Sequence, residues 1–187
     1  WRASVRASDG HDFSPFAFSA PVTILNTPPA AFMVHIDPPS GVKTNTALSA
    51  VYRYGDPDND TETGSVLRWY LNGAEEAALQ NQSCVPASRV SKGQRWGFTV
   101  VPNDGTDPGP LVASATIAVE NSVPVARAGA NGDVLERRRY TLDASASTDA
   151  DPQDTLSYAW VQTAGPTVML SSTSTAGPSF LAPSVAG

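Results

Sequence analysis

The chain repeats itself. Trp1, Val5, Asp9 and Gly10 recur as Trp96, Val100, Asp104 and Gly105, at a constant offset of 95 residues. The correspondence continues without a gap through Asp12 and Asp107, Pro15 and Pro110, Ala20 and Ala115, Asn26 and Asn121, and Pro29 and Pro124. Ten identities in register over 29 residues mark a module used more than once. A looser set follows. Leu48 and Ala50 face Leu142 and Ala144, the acidic run at Asp56, Asp58 and Asp60 faces Asp149, Asp151 and Asp154, and Leu67 and Trp69 face Tyr158 and Trp160.

A period near 95 residues is the size of a β-sandwich. One complete module is expected over 27–122, with 1–26 as the last third of a preceding module and 123–187 as the first two-thirds of a following one. Pro28, Pro29 and Pro124 stiffen the hinges between them, since proline fixes φ and cannot donate to a ladder. The chain starts at Trp1 with no initiator Met, so a piece of a longer or processed protein is expected. Two arrangements suit the divided end modules. Either the residues are a window on a longer chain, or neighbouring copies complete each other's sandwich by strand addition.

The local pattern agrees with an all-β reading. Trp96, Phe98 and Val100 alternate with smaller or polar residues, as do Ala113, Ala115, Ile117 and Val119, and each run predicts a half-buried strand. The Pro102–Pro110 stretch between them is dense turn chemistry and predicts a hairpin. Thr46–Val51 and Val66–Leu71 supply further strands, and Asn72-Gly73 signals a tight turn after the second. Glu75–Leu79 suits a short helical turn at most. Repeated tryptophans at equivalent positions, Trp1 with Trp96 and Trp69 with Trp160, read as pins of a sandwich core.

Composition removes several function classes. Charged residues are only 16% of the chain and the formal net charge is −6, with no basic patch beyond Arg137-Arg138-Arg139, so nucleic acid is not an expected partner. Those arginines read as protection of a strand edge. The single cysteine, Cys84, allows no intrachain disulfide and reads as a small buried hydrophobe. No apolar run has the length of a membrane span. A Ser-His-Asp arrangement would need His11 or His35 beside a nucleophile, no Gly-x-Ser-x-Gly is present, and no enzyme is expected.

The run from Leu142 through Ser145, Ser147, Asp149, Asp151 and Asp154 to Tyr158 and Trp160 resembles the PKD domain pattern, an acidic turn before a Tyr-x-Trp strand. Gln162, Gly165 and Pro166 resemble the REJ-type, PKD-like branch of bacterial surface proteins. Residues 27–122 are similar to bacterial Ig-like and cadherin-like repeats. The resemblance implies tandem Greek-key Ig-like/PKD-like β-sandwiches of about 95 residues each. It also implies an extracellular, cell-surface setting and a non-catalytic structural or adhesive role as spacers or assembly units. Expected partners are other copies or modules of the same protein and a cell-surface glycan. Two other roles compete: a carbohydrate-binding accessory module of a secreted hydrolase, for which exposed tryptophans would speak, and a subunit of a phage or secretion appendage.

The acidic turns carry the candidate site. Asp56, Asp58 and Asp60, and likewise Asp149, Asp151 and Asp154, have the spacing that lets carboxylates converge on calcium, which takes six to eight oxygens. Asp104 or Asp107 would add ligands if their hairpin lies at the same end. Neither loop has the Gly and Glu positions of an EF-hand. The simpler reading is that Asp and Pro make a good turn in an exposed loop, since Asp accepts local backbone bonds. On that reading calcium is at most a brace.

Overall fold

The computed structural model describes residues 1–184. Residues 27–122 form a sandwich of two antiparallel sheets. The first sheet holds β3 (Ala30–Asp37), β4 (Leu48–Gly55) and β7 (Cys84–Val85), in the order β3-β4-β7. The second is built on β8 (Arg95–Val101), which pairs on one side with β5 (Val66–Leu71) and on the other with β9 (Val112–Ala113) and β10 (Ile117–Ala118). β6 (Ala74–Glu75) pairs with β5 across a turn in which Asn72 and Gly73 both have positive φ, as a two-residue hairpin of this twist requires. Residues Ala77–Leu79 form a single 3-10 turn.

Alternation along β5 and β8 sends Leu67, Trp69, Trp96, Phe98 and Val100 inward against Ala31, Ile36, Leu48 and Val85 of the other sheet. Trp69 and Trp96 meet edge-on with centroids 6.3 Å apart, and Phe98 lies 5.3 Å from Trp69. Both indoles are fully buried. The Trp69 Nε1–H donates to the Gln82 carbonyl at 2.9 Å, so its one polar group is not stranded. Gly109 is required by close approach: a Cβ there would stand 1.9 Å from the Pro29 carbonyl oxygen.

Residues 1–26 form a separate hairpin of β1 (Ser4–Val5) and β2 (Ala17–Phe18). Its register is that of β8 and β9 shifted by 95. Ser4 faces Phe18 as Thr99 faces Ala113, and Val5 faces Ala17 as Val100 faces Val112. The bridge between Ser8 and Phe13 repeats as that between Asn103 and Pro108. Ser19 bonds Ala3 through both its amide and its hydroxyl, as Ser114 bonds Phe98. The sequence repeat is therefore also a repeat of hydrogen bonds.

Residues 123–184 share several pairings with residues 28–83. Val125 bridges Thr148 where Ala30 faces Gly55. β11 (Arg139–Thr141) pairs with β12 (Ser179–Leu181), and the bond from Ala144 to Ala176 matches that from Ala50 to Ser83. The Trp160 Nε1–H donates to the Thr175 carbonyl at 2.8 Å, as Trp69 does to Gln82.

Four expectations need correction. Cys84 is exposed, because its neighbour Val85 takes the inward position on a two-residue strand. Ala113–Val119 is not one strand. Thr99 pairs Ala113 but Trp96 pairs Ile117, so one extra residue bulges out between β9 and β10. Tyr158–Trp160 forms no strand, since a single backbone bond, from the Trp160 N–H to the Thr173 carbonyl at 2.9 Å, joins it to a neighbouring segment among the described residues. Finally, Trp1 is 74% exposed, since no second sheet lies against its hairpin among the described residues.

Candidate functional site

The acidic turns lie at the two joints between these segments, and each grips the chain entering it. In the first, Asp56 Oδ1 accepts the backbone N–H of Asp58 (2.7 Å) and Asp60 (3.2 Å), and Asn59 takes the left-handed conformation that asparagine tolerates. The turn so formed presents Asp58 Oδ2 to the Thr27 backbone N–H at 2.7 Å. The β8–β9 loop reaches the same place. Asp104 Oδ1 accepts the amides of Thr106 and Asp107, leaving Asp104 Oδ2 and Asp107 Oδ2 to accept the Asn26 side-chain amide at 2.8 and 3.1 Å. The Asn26 amide and the Asp107 backbone N–H hold the Asp104 carboxyl below its ordinary range.

The second joint uses the same parts. Asp149 Oδ1 accepts the Asp151 N–H at 2.8 Å, and Asp151 Oδ2 accepts the Ser122 backbone N–H at 2.7 Å. Ser122 stands 95 residues after Thr27. Asp151 Oδ1 accepts the hydroxyl of Thr44 and, at 3.3 Å, that of Ser122. Lys92 completes the joint. Its backbone N–H donates to Thr44 Oγ1 at 2.9 Å, and its ammonium reaches both oxygens of Asp154 at 2.9 and 2.7 Å. The Thr44 hydroxyl lowers the Asp151 pKa most, the Ser122 groups and Lys92 adding to it, while Asp154 raises that of Lys92.

The turns are largely exposed, as expected of Asp58, Asp60 and Asp154, but Asp151 is only 2% exposed because the chain it grips covers it.

All six sequence-predicted residues thus gather as two triads, with carboxylate oxygens in each within 4.8 Å of one another. Three close carboxylates call for a positive partner. At the second joint the Lys92 ammonium supplies it. At the first, Asp56 Oδ2 is buried without a hydrogen-bond partner, and so is the neighbouring Tyr54 hydroxyl. Burial, then Asp56 and Asp104, hold the Tyr54 hydroxyl in its protonated form. The donors at the first joint suit a hard cation, and those at the second are committed to protein groups.

Sequence reasoning missed Thr44, Lys92 and the linker amides. Only the linker left a signal, the small residues Thr27 and Ser122 at equivalent positions. Trp69 is buried and cannot serve as a sugar platform. Trp160 is half-buried beside an open cavity.

Residues 128–187 match the family model described as "K319L-like, PKD domain", about a third of the chain. They are a PKD-type domain. PKD domains are generally non-catalytic modules. Searches of the curated proteins and of the solved structures gave no match.

Proposed function

We propose that this chain is a series of Ig-like/PKD-like β-sandwich modules, divided at 26/27 and 122/123, that works as a non-catalytic, extracellular spacer or adhesive element of a bacterial surface protein or filament. The observation that carries this reading is the repeated joint. In both, an acidic turn of the following module fixes a backbone N–H of the linker, Asp58 on Thr27 and Asp151 on Ser122. A linker held this way transmits orientation from one module to the next, which a flexible tether does not. Such a joint serves reach and presentation rather than turnover.

The test is the spread of distances between spin labels on β4 and β11, read by pulsed electron resonance on the full chain. A narrow distribution is expected, broadening severalfold in Asp151→Asn with Lys92→Ala. Equal widths in both proteins would sink the proposal.

A second reading applies to the first joint. A calcium ion held by Asp56, Asp58 and Asp60 is favoured by the partnerless, buried Asp56 Oδ2.

A further inference from the structure

The outer face of the sheet built on β8 carries an open groove of about 570 Å³, a size usual for small-molecule sites. Alternation turns Trp96, Phe98 and Val100 to the core, so Arg95, Gly97 and Thr99 face outward. Gly97 is the floor, and a Cβ there would stand 3.3 Å from the Thr116 methyl. Tyr70, half-buried, pairs directly with Gly97 and forms one wall. Ser114 and Thr116 form the other. The Ser114 Oγ accepts the Phe98 N–H at 3.0 Å and keeps its own proton to donate. Arg95 stands at one end. The ion pairs among the described residues engage Lys43, Arg68, Arg89 and Lys92 and leave the Arg95 guanidinium without a carboxylate. The fold does not require this opening. In the other copy of the hairpin the positions of Gly97 and Ala113 are taken by Arg2 and Phe18. There the Arg2 guanidinium lies 4.7 Å from the Phe18 ring centroid, and its Nε–H donates to the Ser19 carbonyl at 3.1 Å. Large side chains thus occupy the positions that the central module keeps small.

We propose that this groove binds a sugar that carries a carboxylate, a uronic acid residue of a glycan. The Tyr70 ring offers a platform for the apolar face of a pyranose, with its hydroxyl free to bond at the edge. Thr99, Ser114 and Thr116 supply hydroxyls that donate to and accept from those of the sugar. The Arg95 guanidinium presents a planar fork that matches a carboxylate with two parallel bonds. A chain of net charge −6 does not attract an anion as a whole, so a local cation has to hold it. An extended peptide has no sheet edge to join here, because β8 is paired along one side by β5 and along the other by β9 and β10. The inference rests on the adhesive reading above and gives it a ligand class.

The test is amide NMR of the full chain titrated with oligomers of galacturonate, glucuronate and mannuronate, each beside its neutral, carboxyl-reduced counterpart. At least one acidic oligomer is expected to shift the amides of Tyr70, Gly97, Thr99 and Thr116. The neutral counterpart, and the acidic oligomer on Arg95→Ala, are each expected to bind at least about tenfold more weakly, as loss of a charge-assisted bond requires. Ala113→Phe, which places the other copy's side chain in the groove, is expected to abolish the shifts. Both substitutions fall on exposed residues, and an unchanged melting temperature is expected of each. No shift with any acidic oligomer up to about 10 mM, a level that detects even millimolar affinity, would overturn the proposal. So would shifts confined to another face, equal binding of the neutral oligomer, or binding that survives Arg95→Ala. A glutamate-rich peptide bound as tightly as the sugar would also overturn it and assign the groove to a protein partner. A narrow label distribution without sugar binding removes this inference alone. Sugar binding with a broad distribution removes the rigid spacer and leaves the site.

Discussion

Trp96→Ala tests the packing that defines the central module. The side chain is fully buried and stands edge-on against Trp69. A tryptophan buries on the order of 200 Å². At about 25 cal/mol per Å² this corresponds to roughly 5 kcal/mol. Partial collapse of the site brings the expected cost to about 4 kcal/mol, within the range for large aromatic truncations. Gln94 is not orphaned, since its Oε1, which accepts the Trp96 Nε1–H, also accepts the Ser91 N–H. Amide exchange on Val66–Leu71, read by mass spectrometry, reports the stability of this sheet directly and is the appropriate assay. About 4 kcal/mol predicts exchange roughly a thousandfold faster. Trp1→Ala, at the same repeat position, is expected to change exchange there by less than about 0.5 kcal/mol, as for an exposed side chain. A Trp96→Ala effect below about tenfold, or an equal effect from Trp1→Ala, would refute the idea that environment separates these two residues.

The second joint has a defined response to acid. The Asp151 pKa is depressed in the folded chain, so its contribution is complete above the ordinary carboxylate range near pH 4 and is lost only as pH falls through the lower folded value. The label distribution should stay narrow from neutral pH to about pH 4 and broaden in stronger acid; broadening between pH 7 and 5 would contradict the assignment. At the first joint, calcium should raise the melting temperature of the central module more than magnesium does, and Asp56→Asn should abolish the difference. An unchanged melting temperature in calcium would rule out the cation.

Much of the sandwich was legible because its strands are half-buried. Val66–Leu71 alternates cleanly and pairs over its whole length. Asn72-Gly73 fixed its turn through conformations that few other dipeptides adopt. The bulge between β9 and β10 was not legible, since Ser114 and Thr116 keep the alternation going while the register slips by one. The acidic residues were correctly singled out, but what they grip was not. The gripped N–H groups leave only a faint trace, small residues at the equivalent positions Thr27 and Ser122, and nothing in Lys92 or Thr44 announces a partner more than 60 residues away at Asp154 or 107 away at Asp151. Trp1 and Trp160 misled for another reason. Repeat position specifies what a residue can pack against, and burial also depends on whether that surface is there.

Each acidic turn takes hold of a peptide N–H, a group every residue but proline supplies. That grip places little demand on the side chain of the gripped residue, provided it is not proline and stays small, although Asn26 and the Ser122 hydroxyl add bonds of their own. On the modular reading proposed above, duplicating or exchanging a module by recombination would carry the gripping turn with it and find an acceptable target on the segment it meets. An array built this way can change its length in whole steps without evolving a new connection each time.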